Sequence, residues 1–144
     1  TCNEYWQVID AGLTPEDLVV FKYEDEGIST LEDGLYTTEE NLADPEMVDK
    51  LARFVRASMK GWKYAEKNVE EAADIVLEND QTGAQTEKHQ TRMMGEIAKL
   101  TQGSDGRLDE AAFDRSAAIT MEGGMITKAP EGAWTHDITD KALQ

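Results

Sequence analysis

Residues 44–78, DPEMVDKLARFVRASMKGWKYAEKNVEEAADIVLE, read as two amphipathic helices in tandem. Asp44 is a helix N-cap, and Pro45 stands in the first turn, where a missing N–H costs nothing because it would be unpaired anyway. Met47, Val48, Leu51, Phe54, Val55, Ser58, Met59 and Trp62 recur at three- and four-residue steps, which places them on one stripe. Asn68 followed by Glu71 has the form of a capping box opening the second helix, whose apolar face is Ala72, Ile75 and Val76. None of these residues carries chemistry, so the stretch fixes architecture rather than activity.

Outward from this pair, the chain has 144 residues, 40% of them hydrophobic and 31% charged, enough for one domain with a modest core. Thirty acidic against fourteen basic residues give a net charge of −16. A surface of that sign repels phosphate backbones and anionic lipid head groups, which argues against nucleic-acid and membrane-surface partners. No apolar run approaches the ~20 residues that span a bilayer. Cys2 is the single cysteine, so no internal disulfide forms, and the compartment stays open. The chain opens inside an amphipathic pattern at Thr1-Cys2-Asn3-Glu4, as a piece of a longer polypeptide would.

Before the helix pair, residues 3–11 form a short helix with Tyr5, Val8 and Ile9 on one side, stopped by Gly12. Residues 14–17 make a turn. Leu18-Val19-Val20-Phe21 is β-branched and aromatic, the composition of a strand, and Leu35-Tyr36-Thr37-Thr38 is a second extended candidate. Two strands alone make no stable sheet, so they require partners from another segment or another chain. After the pair, a third helix covers about 85–100 and presents Met93, Met94, Ile97 and Leu100. Asp109 caps a fourth, lined by Phe113, Ala117 and Ile119 and ended by Gly123-Gly124, and a weak helix closes the chain within 134–143.

Catalytic constellations are scarce. His89 and His136 lie far apart with no ligand neighbour at helical spacing, and both read as surface residues. Paired acids such as Asp25-Glu26 and Glu39-Glu40 are expected by chance in so acidic a chain, and no glycine cluster has the form of a phosphate loop. One set stands out. Asn3, Glu4, Tyr5 and Trp6 combine an amide, a carboxylate and two rings, which suits a small, planar, nitrogen-rich ligand. The same residues can instead pack inward and cap their helix.

Asn3-Glu4-Tyr5-Trp6, the run Leu18-Val19-Val20-Phe21 with Tyr23-Glu24-Asp25-Glu26-Gly27, Tyr36-Thr37-Thr38-Glu39, and Ala57-Ser58-Met59-Lys60-Gly61-Trp62 with Glu71-Ala72-Ala73 together resemble one family. It is the C-terminal portion of ABC-transporter solute-binding proteins for thiamine-pyrimidine precursors. These proteins are similar to the pyrimidine-synthesising enzymes of fungi and plants and to the nitrate, sulfonate and taurine binding proteins. Relatives show Tyr-Asn-Glu where this chain has Cys2-Asn3-Glu4.

The resemblance implies a two-lobed α/β protein of the type II periplasmic-binding-protein fold, with its ligand between the lobes. On that reading residues 1–29 end the second lobe, 30–43 cross the hinge and 44–144 return as helices onto the first lobe. The chain itself is then mainly α with two or three short strands. The implied function is the substrate-binding component of an ABC importer that captures a small substituted pyrimidine by hinge closure. The alternatives are a pyrimidine-phosphate synthase of thiamine biosynthesis on the same fold, or a fragment with no activity of its own. The resemblance assigns Asn3, Glu4 and Tyr5 to the ligand, with no catalytic residue, metal or cofactor. It implies an ABC permease as partner and a periplasmic or otherwise extracytoplasmic parent protein. Exposed strand edges invite pairing with a second copy, which predicts a homodimer of the separated chain.

Overall fold

A computed structural model describes residues 3–144; Cys2, the position of the relatives' tyrosine, lies outside the described residues. Seven α-helices follow in order: α1 Glu4–Asp10, α2 Glu39–Ala43, α3 Pro45–Ala65, α4 Val69–Asn79, α5 Glu87–Thr101, α6 Glu110–Glu122 and α7 Asp137–Leu143, with a 3-10 turn at Pro15–Asp17. The chain divides into two compact units, residues 1–19 with 57–105, and residues 20–56 with 106–144. α3 contributes its first twelve residues, 45–56, to the second unit and the remainder to the first.

In the first unit, α4 and α5 make the one extensive helix–helix contact among the described residues. The most buried residues of the two helices are mostly small. Ala72, Ala73 and Ala98 are buried, Ala73 completely, and a Cβ at Gly95 would lie 4.0 Å from Val69 Cγ1. The capping box expected at the start of α4 is absent. Asn68 makes no side-chain cap: its Nδ2 donates back to the Tyr64 carbonyl at 2.9 Å, and its backbone N–H donates to the same carbonyl at 3.0 Å. The Tyr64 carbonyl thus takes the backbone donor that a capping box would have offered to Glu71. α5 begins at Thr86, whose hydroxyl accepts from His89 N at 3.3 Å. In the connection between α4 and α5, Asp80 folds the backbone around its own carboxylate, accepting from Thr82 N at 2.8 Å, Thr82 Oγ1 at 2.6 Å and Gln85 N at 3.1 Å.

In the second unit, α6 starts as the sequence predicts, with Asp109 accepting from Ala112 N at 2.9 Å. Asp44 accepts from Glu46 N at 2.9 Å at the head of α3. α7 is held at its C-terminal end by Arg56, whose Nε donates to the Ala142 carbonyl at 2.8 Å and whose Nη2 donates to the Lys141 carbonyl at 3.0 Å. A guanidinium there satisfies carbonyls that the helix leaves unpaired and meets the negative end of its dipole. Ala52, Ala112, Ile138 and Ala142 are buried. The short α2 escaped the sequence reading, though its signal is present: Thr38 accepts from Asn41 N at 3.2 Å, and Glu39 and Glu40 occupy its first turn.

The two expected strands do not form. Among the described residues there is no β-ladder, and both 18–21 and 35–38 run without regular secondary structure. Leu18 keeps extended dihedrals (φ −114°, ψ 139°), so the local preference survives, but neither segment finds a second strand. An isolated strand gains no ladder hydrogen bonds to offset its lost chain entropy. The run past Phe21 ends in a turn in which Ile28 N bonds the Tyr23 carbonyl at 2.8 Å, with Gly27 supplying the positive φ of 80°. Residues 29–31 are tied to α6 by Arg115 Nε to the Ser29 carbonyl at 3.1 Å and Leu31 N to Ser116 Oγ at 2.8 Å.

The core is alanine-rich, and the larger side chains stay partly wet. Phe21 is 78% exposed, Tyr36 83% and Phe54 57%. The total accessible area is 10846 Å² for 16.0 kDa. Two separate compact bodies of half that mass would together expose roughly 8,900 Å². The excess is of the size of a protein–protein interface.

Candidate functional site

The amide, carboxylate and rings singled out in the sequence lie on α1, in the first unit. Asn3 is the residue before the helix, and its side chain is committed. Its Oδ1 accepts from Gln7 Nε2 at 3.1 Å and lies 2.7 Å from His89 Nε2. With that oxygen the shared acceptor, the imidazole proton sits on Nε2. The amide NH₂ of Asn3 is left without a partner among the described residues.

Glu4 is exposed and likewise has no hydrogen-bond partner among the described residues. Tyr5 is half-buried and meets Trp6 edge to face, ring centroids 5.0 Å apart and planes at 77°. The guanidinium carbon of Arg92 stands 4.5 Å from the Trp6 ring centroid, a cation over an aromatic face.

Asp10 completes the cluster. It receives Lys88 Nζ at 2.7 Å and Arg92 Nη1 at 3.0 Å. These hydrogen bonds, Lys88 first and Arg92 second, with the charges behind them, hold the Asp10 carboxyl below the ordinary range. Lys88 and Arg92 stand four residues apart on α5, so both project from one face toward the same acid.

Two of these contacts correct the sequence reading. His89, read as a surface residue, is 7% exposed and bonded to Asn3. Trp6 is occupied by Arg92. His89, Arg92, Lys88 and Asp10 were not legible as site residues, because 76 or more positions separate α1 from α5 and only tertiary packing joins them. The i, i+4 spacing of Lys88 and Arg92 was the one local signal. His136 lies in the second unit, with its Nε2 3.0 Å from the Leu108 carbonyl and its ring 4.8 Å from that of Trp134.

Chemically, the α1 cluster presents a donor pair on Asn3, an acceptor on Glu4 and aromatic edges on Tyr5 and Trp6. That complement suits hydrogen bonding and stacking. Among the described residues no three His, Cys, Asp or Glu side chains gather as a metal would require. Two hollows, both open to solvent, lie in the second unit. One of about 490 Å³ is lined by Asp44, Met47, Asp49 and Arg53 among others, and one of about 280 Å³ by Phe113, Ala117, Met121 and Pro130 among others. Neither includes Asn3, Glu4 or Tyr5.

The first unit thus carries a polar–aromatic cluster on a helical scaffold. Residues 2–72, just under half of the chain, match the family model described as NMT1/THI5 like. The match bears out the resemblance to thiamine-pyrimidine precursor-binding proteins. It ends within α4 and contains the whole Asn3–Trp6 set. No curated protein and no solved structure matches the chain. The family implies a periplasmic-binding-protein-like fold, of which the strands are not seen among the described residues.

Proposed function

We propose that this chain is part of a substrate-binding protein that captures a small substituted pyrimidine, or a related nitrogen-rich ring, and passes it to an ABC permease. The observation that carries the reading is the position of Asn3, Glu4 and Tyr5 inside the matched segment, with the Asn3 NH₂ and the Glu4 carboxylate both unengaged. A ring nitrogen accepts from the amide and a ring amino group donates to the carboxylate. The proposed location is periplasmic or otherwise extracytoplasmic, and capture proceeds by closure of two lobes over the ligand.

Exposed apolar segments fit the same reading. Val20, Phe21, Tyr23, Leu35 and Tyr36 are each at least half exposed, and the first run keeps a strand-like composition without a partner. In the proposed protein these segments join a sheet supplied by the rest of the polypeptide. In the separated chain they pair with a second copy, which light scattering would read as twice 16.0 kDa.

The test is calorimetry of the full-length protein with a hydroxymethyl aminopyrimidine, alongside Glu4→Gln and Asn3→Ala. A hydrogen bond to a charged group is worth about 1.5–3 kcal/mol, so Glu4→Gln is expected to weaken binding about 10- to 100-fold. Unchanged affinity in both variants removes α1 from the site. Formation of a pyrimidine phosphate by the protein from another bound precursor, with no pyrimidine supplied, would replace the transport reading by the synthase.

A further inference from the structure

The hold on α1 combines polar bonds with three half-buried apolar side chains, Tyr5, Trp6 and Ile9. α1 has seven residues, too few to be a stable helix alone, and none of them is buried. Its long-range bonds are the Asp10–Lys88 and Asp10–Arg92 ion pairs, the Arg92–Trp6 stack and the Asn3–His89 hydrogen bond, and every one of them goes to α5. The ion pairs are partly open to water: the Lys88 side chain is 71% exposed and that of Asp10 27%. α4 and α5, by comparison, pack extensively and bury Ala72, Ala73 and Ala98. One face of α5 therefore carries two kinds of attachment with opposite responses to salt. Ion pairs at a surface are screened within about 3 Å at 1 M salt, whereas burial of methyl groups is not weakened by it.

We propose that α1 is a releasable strap, latched to α5 through Asp10, Lys88, Arg92 and Trp6, whose opening uncovers the imidazole of His89 while α4 and α5 stay packed. The anchor is Asp10, because it is the acid that both cations share. Removing its charge unpairs Lys88 and Arg92 together and frees the guanidinium that stacks on Trp6. His89 then loses the neighbour that shields its Nε2.

The proposal concerns a motion of the first unit and stands apart from the identity of the ligand. Since α1 also bears Asn3, Glu4 and Tyr5, opening the latch would move those three groups as one body.

Hydrogen exchange followed by mass spectrometry on the full chain tests it, at 0.05 M and 1 M sodium chloride, for the unaltered chain and for Asp10→Asn. The backbone N–H groups of Gln7, Ala11 and Gly12, which bond the carbonyls of Asn3, Gln7 and Ile9, report the strap. Their exchange is expected to rise about tenfold with salt in the unaltered chain, and to be fast at both salt concentrations in Asp10→Asn. Amides of α4 and α5 are expected to keep their protection throughout. Carbethoxylation of His89 by diethyl pyrocarbonate, with His136 as internal reference, is expected to rise in parallel. Two results overturn the proposal: exchange over residues 7–12 indifferent to salt in the unaltered chain, or protection of α4 and α5 lost together with that of α1. The salt series needs no variant, so misfolding of Asp10→Asn leaves the test intact.

Discussion

Gly95 lies in the interior of α5, opposite α4, and its replacement by alanine tests the small-residue packing that holds the first unit together. A Cβ built at Gly95 meets Val69 Cγ1 at 4.0 Å and nothing nearer, an ordinary van der Waals contact. The alanine therefore fits without displacing α4. It removes the entropic handicap of a mid-helix glycine, about 1 kcal/mol, and stabilises the unit by that amount. For a unit of this size the expected rise in melting temperature is roughly 4–8 °C, read by circular dichroism at 222 nm, with a matching shift of the urea midpoint at constant slope. Ala73→Leu is the counterpart: the residue is 0% exposed, so the added carbons have no free space and cost about 1–3 kcal/mol. A lower midpoint for Gly95→Ala, or an indifferent Ala73→Leu, would refute the close approach of α4 and α5.

Two other outcomes are expected on similar grounds. The hydrogen bond to Glu71, followed by desolvation and the glutamate's charge, raises the Tyr64 phenol above its ordinary value of 10.0. The bonded, neutral phenol thus contributes stability that is present below pH 10 and lost as pH rises through the folded pKa, so urea midpoints should fall in that window and Tyr64→Phe should flatten the fall. Arg56→Gln removes the charged donor from the Ala142 and Lys141 carbonyls; α7 amides are expected to exchange about tenfold faster, for a loss of about 1.5 kcal/mol, and equal exchange in both proteins would show that the helix end needs no cap.

Several elements were legible because local rules decide them. The stripe from Met47 to Trp62 places α3, Asp109 places the start of α6, and Gly12, with φ 107°, ends α1. The capping box at Asn68 failed because its backbone N–H and side-chain amide both donate to the Tyr64 carbonyl, one turn back on α3. The apolar stripe of α3 was correct in period yet incomplete as a core. The most buried residue of α3 is Ala52, 1% exposed and outside that stripe, too small to stand out in a hydropathy pattern, whereas Phe54 is 57% exposed. Each buried methyl contributes about 0.8 kcal/mol, against 1.5–3 kcal/mol for a large side chain, so a core of this kind holds helices close without holding them strongly.

The stripe of α3, the cap at Asp109 and the acidic surface follow from local sequence, and the sequence alone determines them. Resemblance across residues 2–72 likewise needs only the order of side chains. Whether Leu18 to Phe21 forms a strand depends on an edge to pair with, and no residue within the segment can supply one. The cluster of Asp10, Lys88, Arg92, His89 and Asn3 is of the same kind. Its members are charged or polar groups common on any helix, and they become a site only when folding sets α1 against α5, because an ion pair or a shared proton exists at 3 Å and not at 80 residues' remove.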